Sequence, residues 1–214
     1  MKKILLLFFA CSTLITYGQS SQRARNYLDE VNKKIASYSN ISIDFHYAQV
    51  EAKSGETIQE TDGHIDLKDN LYRMTFMDMT RIFDGKKIYT ISEEDKEVTI
   101  SKYDPTKIDN ALPLQILTFY KEGYDLQWDI LQKVKGKEIQ YIKLVPLDKK
   151  SGIKEVLVGI DHVTKQIYTK IQVNKNNSKS ILTVKSFKTN QSMSKNHFTF
   201  TDTDYSNYYI NKID

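Results

Sequence analysis

The segment 63–101 constrains the fold more than any other part of the chain, because apolar and polar residues alternate along it. In the run 72–76, an aromatic or methionine side chain stands at every second position. A period of two is typical of strands with one apolar and one polar face. Turn-forming pairs separate the runs, at Asp69-Asn70, Asp84-Gly85 and Glu94-Asp95. The pattern predicts an antiparallel meander whose apolar face carries Met74 and either Met77 or Met79.

The first residues, MKKILLLFFACSTLITYGQ, have two lysines, then an apolar run, then small or polar residues. This order is typical of a secretory signal peptide, and the run is shorter than the ~20 apolar residues that a membrane span needs. We predict a signal peptide at residues 1–18 and a single domain at residues 19–214. The alternative is lipid attachment at Cys11, where the bulky Phe9 departs from the small residue that such a motif expects.

Composition excludes several classes of function. Cys11 is the only cysteine, so cleavage after Gly18 leaves no disulfide, thiolate nucleophile or cysteine metal site. The formal net charge is +4, and Lys2 and Lys3 supply two of these charges, so the mature chain carries +2. A mixed surface of this kind does not indicate nucleic-acid binding.

The remaining chain predicts one helix followed by more strands. Apolar residues at helical spacing predict a helix at 23–38 with Ser21 as its N-cap, packed on a sheet or, alternatively, presented to a partner. About ten or eleven strands at hairpin spacing favour a barrel or strongly curved sheet. Those outside the meander are expected at 41–49, 130–134, 138–146, 154–160, 166–174, 179–187 and 197–200.

A second, short helix is predicted from Pro113, with Gly123 at its end. It is apolar nearly all round, and such a helix requires burial on more than one side. Because strands flank it in the sequence, we expect it to fill an apolar space. Its apolar residues are Leu112, Leu114, Ile116, Leu117, Phe119 and Tyr120.

No sequence motif supports catalysis. The four histidines form no HExxH pattern, and GxSxG, P-loop and GxGxxG motifs are absent from the sequence. His64 and Asp66 could reach one metal ion from the same face of a strand, but solvated polar strand residues are the commoner case. We therefore predict no enzyme activity, no cofactor and no metal site.

Short motifs spread along the chain resemble the LolA-like family of periplasmic lipoprotein carriers. Their order is more specific than any one of them. One departure is Lys68-Asp69-Asn70, which stands where the family often has Lys-Arg-Pro with an arginine that helps to hold a lid. The matching pieces are Phe45 with Gln49, residues 63–68, Asp84-Gly85-Lys86 with Tyr89, the Pro113 helix, Leu144-Val145-Pro146 and Phe198-Thr199-Phe200.

The resemblance implies a mainly β fold with helices (α+β). This fold is an incomplete antiparallel β-barrel of about eleven strands, with an N-terminal helix and a helical lid over an apolar cavity. It also implies a monomeric periplasmic carrier in a Gram-negative envelope, which moves acyl chains of lipoproteins, or another lipid, from the inner to the outer membrane. An inner-membrane release transporter and an outer-membrane receptor would be its partners. The alternative is an envelope sensor or receptor module on the same half-barrel, without lipid turnover.

The apolar residues that fit such a carrier fall into two groups. Long or aromatic side chains on the predicted sheet face, with two from the inserted helix, would line the cavity. The inserted helix itself would be the lid. The predicted cavity residues are Ile43, Phe45, Tyr72, Met74, Phe76, Leu117 and Phe119, and the predicted lid residues are Pro113, Leu114, Ile116, Leu117 and Tyr120.

Overall fold

The computed structural model of the chain describes residues 2–104 and 119–213, with side chains for residues 19–104 and 120–213. The described residues contain one α-helix, α1 (Lys2–Ala36), and two 3-10 helices, Phe119–Lys121 and Asp202–Tyr205. The strands are β1 (Ile41–Val50), β2 (Thr57–Lys68), β3 (Leu71–Phe76), β4 (Met79–Phe83), β5 (Lys87–Ser92), β6 (Glu97–Lys102), β7 (Tyr124–Val134), β8 (Lys137–Pro146), β9 (Ile153–Asp161), β10 (Ile167–Asn174), β11 (Lys179–Thr189) and β12 (Tyr209–Ile213).

All twelve strands belong to one sheet, in the order β12-β6-β5-β4-β3-β2-β1-β11-β10-β9-β8-β7. The two edge strands, β12 and β7, do not pair with each other, so the sheet is not closed. The predicted fold class, a mainly β chain built as an incomplete barrel, is confirmed, with twelve strands in place of about eleven. Among the described residues, no helix is both long and apolar enough to cross a membrane.

The chain divides into two compact units. Unit 1 comprises Met1–Ala36, Gln49–Glu56 and Phe119–Ile181, and unit 2 comprises Ser37–Ala48, Thr57–Thr118 and Leu182–Asp214. The signal peptide at residues 1–18 and the single domain at residues 19–214 stay predictions.

In unit 1, α1 packs its apolar stripe against β7. The Tyr27 ring lies 5.2 Å from the Trp128 ring in an edge-to-face arrangement, and the Trp128 amide donates to the Ser20 hydroxyl. The predicted helix start is wrong, because α1 already runs from Lys2 and Ser21 lies inside it. Residues 2–17 contain no proline or glycine that would end a helix there. The buried residues of this stripe are Ala24, Tyr27, Leu28, Val31 and Ile35.

Strand β7 begins at Tyr124, earlier than the predicted residue 130, and contains a β-bulge between Trp128 and Leu131. The buried Gln140 side chain fills this irregularity, because its amide donates to the Asp129 carbonyl at 2.8 Å. The bulge interrupts the alternation of the strand. A single period-two pattern therefore does not cover the whole of β7.

In unit 2, strands β2 to β6 form the predicted meander. Gly85, with φ +95°, provides the positive φ that the turn between β4 and β5 requires. The sequence did not reveal the turn between β3 and β4, where Met77 and Asp78 have φ of 52° and 59°. Met77 is therefore a turn residue, and Met79 is the methionine that pairs with Phe76 across the two strands.

The strand predicted at 197–200 is wrong. These residues form turns, in which the His197 and Thr199 amides donate to the Ser194 and Asn196 carbonyls. The last strand is instead β12, which runs parallel to β6. The alternation at 198–200 reflects packing, because the Phe200 ring stacks on the Tyr89 ring at 4.6 Å. We call residues 195–213 the C-terminal segment.

Register defines two faces of the meander. The Phe76 face carries Gly63, Ile65, Tyr72, Met74 and Phe76, and Phe45 joins it through ring contact with Phe76. The His64 face carries the intervening residues, with the C-terminal segment packed over part of it. The apolar cluster of the His64 face consists of Ile82, Ile91, Val98 and Ile100, against which Tyr89, Phe200, Tyr205, Tyr208 and Ile210 pack.

Candidate functional site

Five of the seven predicted cavity residues have described side chains, and all five lie on the Phe76 face. Tyr72, Met74 and Phe76 point to one side of β3, since they alternate with residues that pair on the other side. Phe45 contacts Phe76, and Ile43 precedes Phe45 by two positions on β1, so it shares that side. The structure thus brings these side chains to one sheet surface.

An aromatic cluster forms where β1, β2 and β3 run side by side. The Phe76 ring lies 5.6 Å from the Phe45 ring and 5.3 Å from the Tyr47 ring. Gly63 makes this cluster possible, because a Cβ at that position would lie 2.3 Å from the tip of the Phe45 ring. The Phe45 side chain therefore occupies the space above β2 that any other residue at position 63 would need.

A second aromatic cluster lies on the same face, at the other end of β3. The Tyr72 ring is 5.9 Å from Phe83, which is 4.9 Å from Tyr103. Burial raises the pKa of Tyr72, and the nearby Arg81 guanidinium opposes this shift. The sequence analysis did not include Arg81, which pairs with Met74 across β3 and β4 and donates from Nε to the Thr90 hydroxyl at 3.4 Å.

Burial is graded across the Phe76 face. Tyr72 and Phe45 are buried, with 2% and 6% of their surface exposed, whereas Met74 and Phe76 are only half-buried. Met79, opposite Phe76, is 45% exposed. An apolar surface of this kind can exchange water for an apolar ligand without unfolding of the strands beneath it.

The predicted lid lies mostly outside the described residues. The predicted lid residues that are not described are Pro113, Leu114, Ile116 and Leu117. The side chain of the predicted cavity residue Phe119 is not described either. Tyr120 is described, belongs to unit 1 and is 2% exposed. Its hydroxyl donates to the Asp29 carboxylate of α1 at 2.9 Å. Burial, followed by the hydrogen bond to Asp29, raises the pKa of Tyr120.

A groove in unit 2 does not coincide with the predicted cavity. Its volume is about 520 Å³, and of the predicted cavity residues that are described only Phe45 lines it. The Asp62 carboxylate on this groove bonds to the Lys185 amine at 2.8 Å. Six of the eight residues that line the groove are charged or polar. The eight residues are Asp44, Phe45, Asp62, Gly63, His64, Thr75, Lys185 and Ser186.

His64 and Asp66, which the sequence offered as possible metal ligands, bond to each other. His64 Nε2 lies 3.1 Å from Asp66 Oδ2, and His64 Nδ1 lies 2.6 Å from Asp44 Oδ1. Within the described part of the chain, no group of three or more His, Cys, Asp or Glu side chains is arranged to hold a metal ion. The pair therefore contributes hydrogen bonds to the His64 face.

The unclosed sheet with its apolar Phe76 face places the protein in a class of half-barrel folds. A sequence model of one family, described as "Outer membrane lipoprotein carrier protein LolA", matches residues 14–177. This match covers most of the chain, so the protein belongs to that family. No curated protein sequence matches the chain.

Solved structures with a similar fold include an uncharacterized conserved protein from Thermus thermophilus. It is 10% identical, with a TM-score of 0.62, and the match covers 89% of this chain and 99% of that one. Lipoprotein LppX of Mycobacterium tuberculosis is 13% identical with a TM-score of 0.48, covering 82% and 99%. A putative outer membrane lipoprotein-sorting protein domain from Vibrio parahaemolyticus is 9% identical with a TM-score of 0.45, covering 84% and 97%. At this identity the first of these supports the fold alone.

Proposed function

We propose that this protein is a periplasmic carrier, and not an enzyme, that binds acyl chains of lipoproteins or of another lipid on the Phe76 face. Membership of the family described as an outer membrane lipoprotein carrier is the observation that supports this most directly. The gathering of the buried Phe45 and the half-buried Met74 and Phe76 on one apolar surface supports the location of the site.

The energetics favour binding that is tight enough to extract a lipid and still reversible. Each methylene moved from water to an apolar surface contributes ~0.8 kcal/mol. A chain of about 16 carbons would contribute on the order of 10 kcal/mol before the costs of immobilisation. In our proposal the predicted lid competes with the acyl chain for the apolar surface. Exchange of this lid for an acyl chain then lowers the net affinity and permits delivery.

Methionine side chains suit a surface that must accept ligands of irregular shape, because they are unbranched and polarizable. Met74 is half-buried on this face, and Met79, opposite Phe76, is 45% exposed. In this proposal the acyl chain contacts these methionines and the Phe45–Phe76 cluster. An inner-membrane release transporter would load the carrier, and an outer-membrane receptor would unload it.

The test is mass spectrometry of lipid extracted from the protein after secretion into a bacterial periplasm, together with displacement of a fluorescent fatty acid. We expect an acyl lipid to co-purify and the probe to bind. Met74→Glu places a carboxylate on the proposed surface and should abolish both signals, because burial of a charge against hydrocarbon is costly. Leu147→Glu is the matched control, since Leu147 is 65% exposed in unit 1.

A separate variant tests the lid. Leu117→Glu should abolish acyl transfer between vesicles while the circular dichroism spectrum stays that of a folded sheet. Unchanged transfer would refute the lid assignment. Absence of any bound lipid, combined with a stable protein partner in a periplasmic pull-down, would favour the alternative of a sensor or receptor module.

A further inference from the structure

The His64 face carries a continuous chain of four titratable side chains that the lipid proposal does not use. Asp44 lies on β1, His64 and Asp66 lie on β2, and His197 lies in the C-terminal segment. His64 bridges the two carboxylates, and His197 Nε2 lies 2.7 Å from Asp66 Oδ2. These four residues, which we call the histidine latch, therefore link two strands to the C-terminal segment.

The position of His64 determines which protonation state fits. A neutral imidazole has one N–H donor and one nitrogen with a lone pair, whereas an imidazolium has two donors. Both ring nitrogens of His64 face a carboxylate oxygen, at 2.6 Å and 3.1 Å. A neutral ring would therefore direct a lone pair at one carboxylate, and only the doubly protonated ring donates to both.

Asp66 is the central residue of the latch. Its side chain is only 10% exposed, so water compensates little for a lost partner. It bonds to His64, to His197 and to the Ser42 side chain. The backbone of His197 is also held, since Arg73 Nη1 donates to its carbonyl at 3.5 Å.

We propose that the histidine latch is a pH-sensitive contact, which holds the start of the C-terminal segment, around His197, on the sheet while His64 is doubly protonated and loosens when His64 loses a proton. The proton leaves to water from Nε2, because the shorter contact with Asp44 retains the proton at Nδ1. The lone pair then exposed on Nε2 faces Asp66 Oδ2. Repulsion displaces Asp66 from the position in which it binds His197.

The pKa shifts of His64 and Asp66 determine the direction of the pH dependence. Burial lowers the pKa of His64, but the hydrogen bonds to Asp44 and Asp66 outweigh it, and the net shift is upward. The stabilising contribution of His64 is therefore complete below its ordinary pKa of about 6.5 and is lost as the pH rises through its raised folded pKa.

Asp66 has the opposite dependence. Burial raises its pKa, but hydrogen bonds from Ser42, His197 and His64 lower the pKa by a larger amount, so the net shift is downward. Its contribution is present above the ordinary carboxyl pKa of about 4 and is lost as the pH falls through the lowered folded pKa. The latch should hold between these two limits and loosen on the alkaline side through His64. The other charged or titratable groups near the latch are His46 from β1, Asp62 from β2, Arg73 from β3 and Lys185 from β11.

The experiment combines two measurements on the secreted protein without added lipid. Nitrogen-15 chemical shifts of the imidazole rings, followed by NMR from about pH 5 to about pH 9, give the protonation state of each histidine across its ordinary titration range. Amide hydrogen exchange, corrected for its intrinsic pH dependence, gives the protection of the His197 and Thr199 amides over the same range. We expect both nitrogens of His64 to be protonated at about pH 6 and its pKa to lie above the ordinary value of about 6.5.

Protection of the His197 and Thr199 amides should fall as the pH passes through the pKa of His64, by up to about tenfold for each unit by which that pKa is raised. His64→Gln should remove this step. His46→Gln is the matched control and should retain it, because His46 bonds to Asp62 and Glu60 away from the C-terminal segment.

Three results would overturn the latch. His64 could titrate at or below its ordinary pKa, protection could stay constant while His64 titrates, or His46→Gln could remove the step. The titration of the unmodified protein decides the question by itself if His64→Gln does not fold. None of the four latch residues lies on the Phe76 face, so loss of lipid binding in Met74→Glu leaves this test unaffected.

Discussion

The two faces of the meander are built from the same strands, and both contain fully buried apolar side chains, such as Ile82 on the His64 face and Phe83 on the Phe76 face, but the Phe76 face also has a half-buried part. On the His64 face, Ile82, Ile91 and Val98 are at most 1% exposed, and the C-terminal segment packs against them. On the Phe76 face, Met74 and Phe76 are half-buried, and Met79 is 45% exposed. Alternation assigns residues to a face, but it does not say which face another segment will cover.

This difference separates stability from ligand binding. A residue that is already fully packed contributes its burial to folding. A half-buried apolar residue retains surface that a ligand can cover, so part of its contribution is available for binding. We therefore expect substitutions in the Ile82 cluster of the His64 face to affect mainly unfolding, and substitutions at the half-buried Met74 and Phe76 to affect mainly acyl binding.

The largest expected effect is on the His64 face. Ile82→Ala should lower the free energy of unfolding by about 2–5 kcal/mol, because it removes buried methyl groups and leaves a cavity. Met74→Ala should cost less, about 1 kcal/mol, because the Met74 side chain is already partly open to solvent. Urea denaturation of the two variants measures both values. An equal or larger loss for Met74→Ala would show that Met74 is packed as tightly as Ile82.

An intermediate effect is expected from Gly63→Ala. The added Cβ would meet the Phe45 ring at 2.3 Å, so the ring must move and the Phe45–Phe76 contact must change. We expect a loss of about 1–3 kcal/mol in the free energy of unfolding, with weaker binding of a fluorescent fatty acid. Gly152→Ala is the matched control, because a Cβ there meets nothing within 4 Å. An unchanged free energy of unfolding in Gly63→Ala would mean that the Phe45 ring can move away from the added Cβ without loss of stability.

The smallest effect is expected from Tyr89→Phe, on the His64 face. The Tyr89 hydroxyl donates to the Asp84 carboxylate at 2.8 Å, and its loss should cost about 1 kcal/mol at about pH 8. Burial, followed by this hydrogen bond, raises the pKa of Tyr89 to about 12. The stabilisation is present below the ordinary tyrosine pKa of about 10 and is lost as the pH rises toward the folded pKa.

Urea denaturation of the wild type and Tyr89→Phe should therefore show a difference that closes between about pH 10 and about pH 12. A difference independent of pH would exclude the hydroxyl as its source. Tyr209→Phe serves as the control, since Tyr209 is 70% exposed on the edge strand β12, and it should change stability little at any of these values.

Local patterns predicted the meander and the side on which its apolar residues lie. The period of two and the turn at Asp84-Gly85 depend only on neighbouring residues, so the sequence contains them directly. The candidate site was predictable to the same extent, since Phe45, Met74 and Phe76 follow this alternation. Arg81 was not predicted, because its place opposite Met74 depends on the Met77-Asp78 turn, which has no glycine to mark it.

Errors arose where contacts distant in sequence determine the structure. The residues 197–200 alternate as a strand would, but Phe200 stacks on Tyr89 and His197 bonds to Asp66, so this stretch turns over the sheet instead of joining it. Strand β12 has a parallel partner, β6, that lies more than a hundred residues earlier. No local pattern encodes a pairing of that kind.

By itself, the sequence determined a mainly β chain, the hairpins of its meander and the apolar side of each strand, because steric preferences and alternation act over a few residues. Only the tertiary structure decided that the C-terminal segment packs over part of the His64 face and that His64 lies between two carboxylates. The same holds for the Phe45 ring, which lies in the space that a side chain at Gly63 would fill. These outcomes depend on which side chains from distant parts of the sequence can pack into the same volume, and that is determined by the packing of the whole chain.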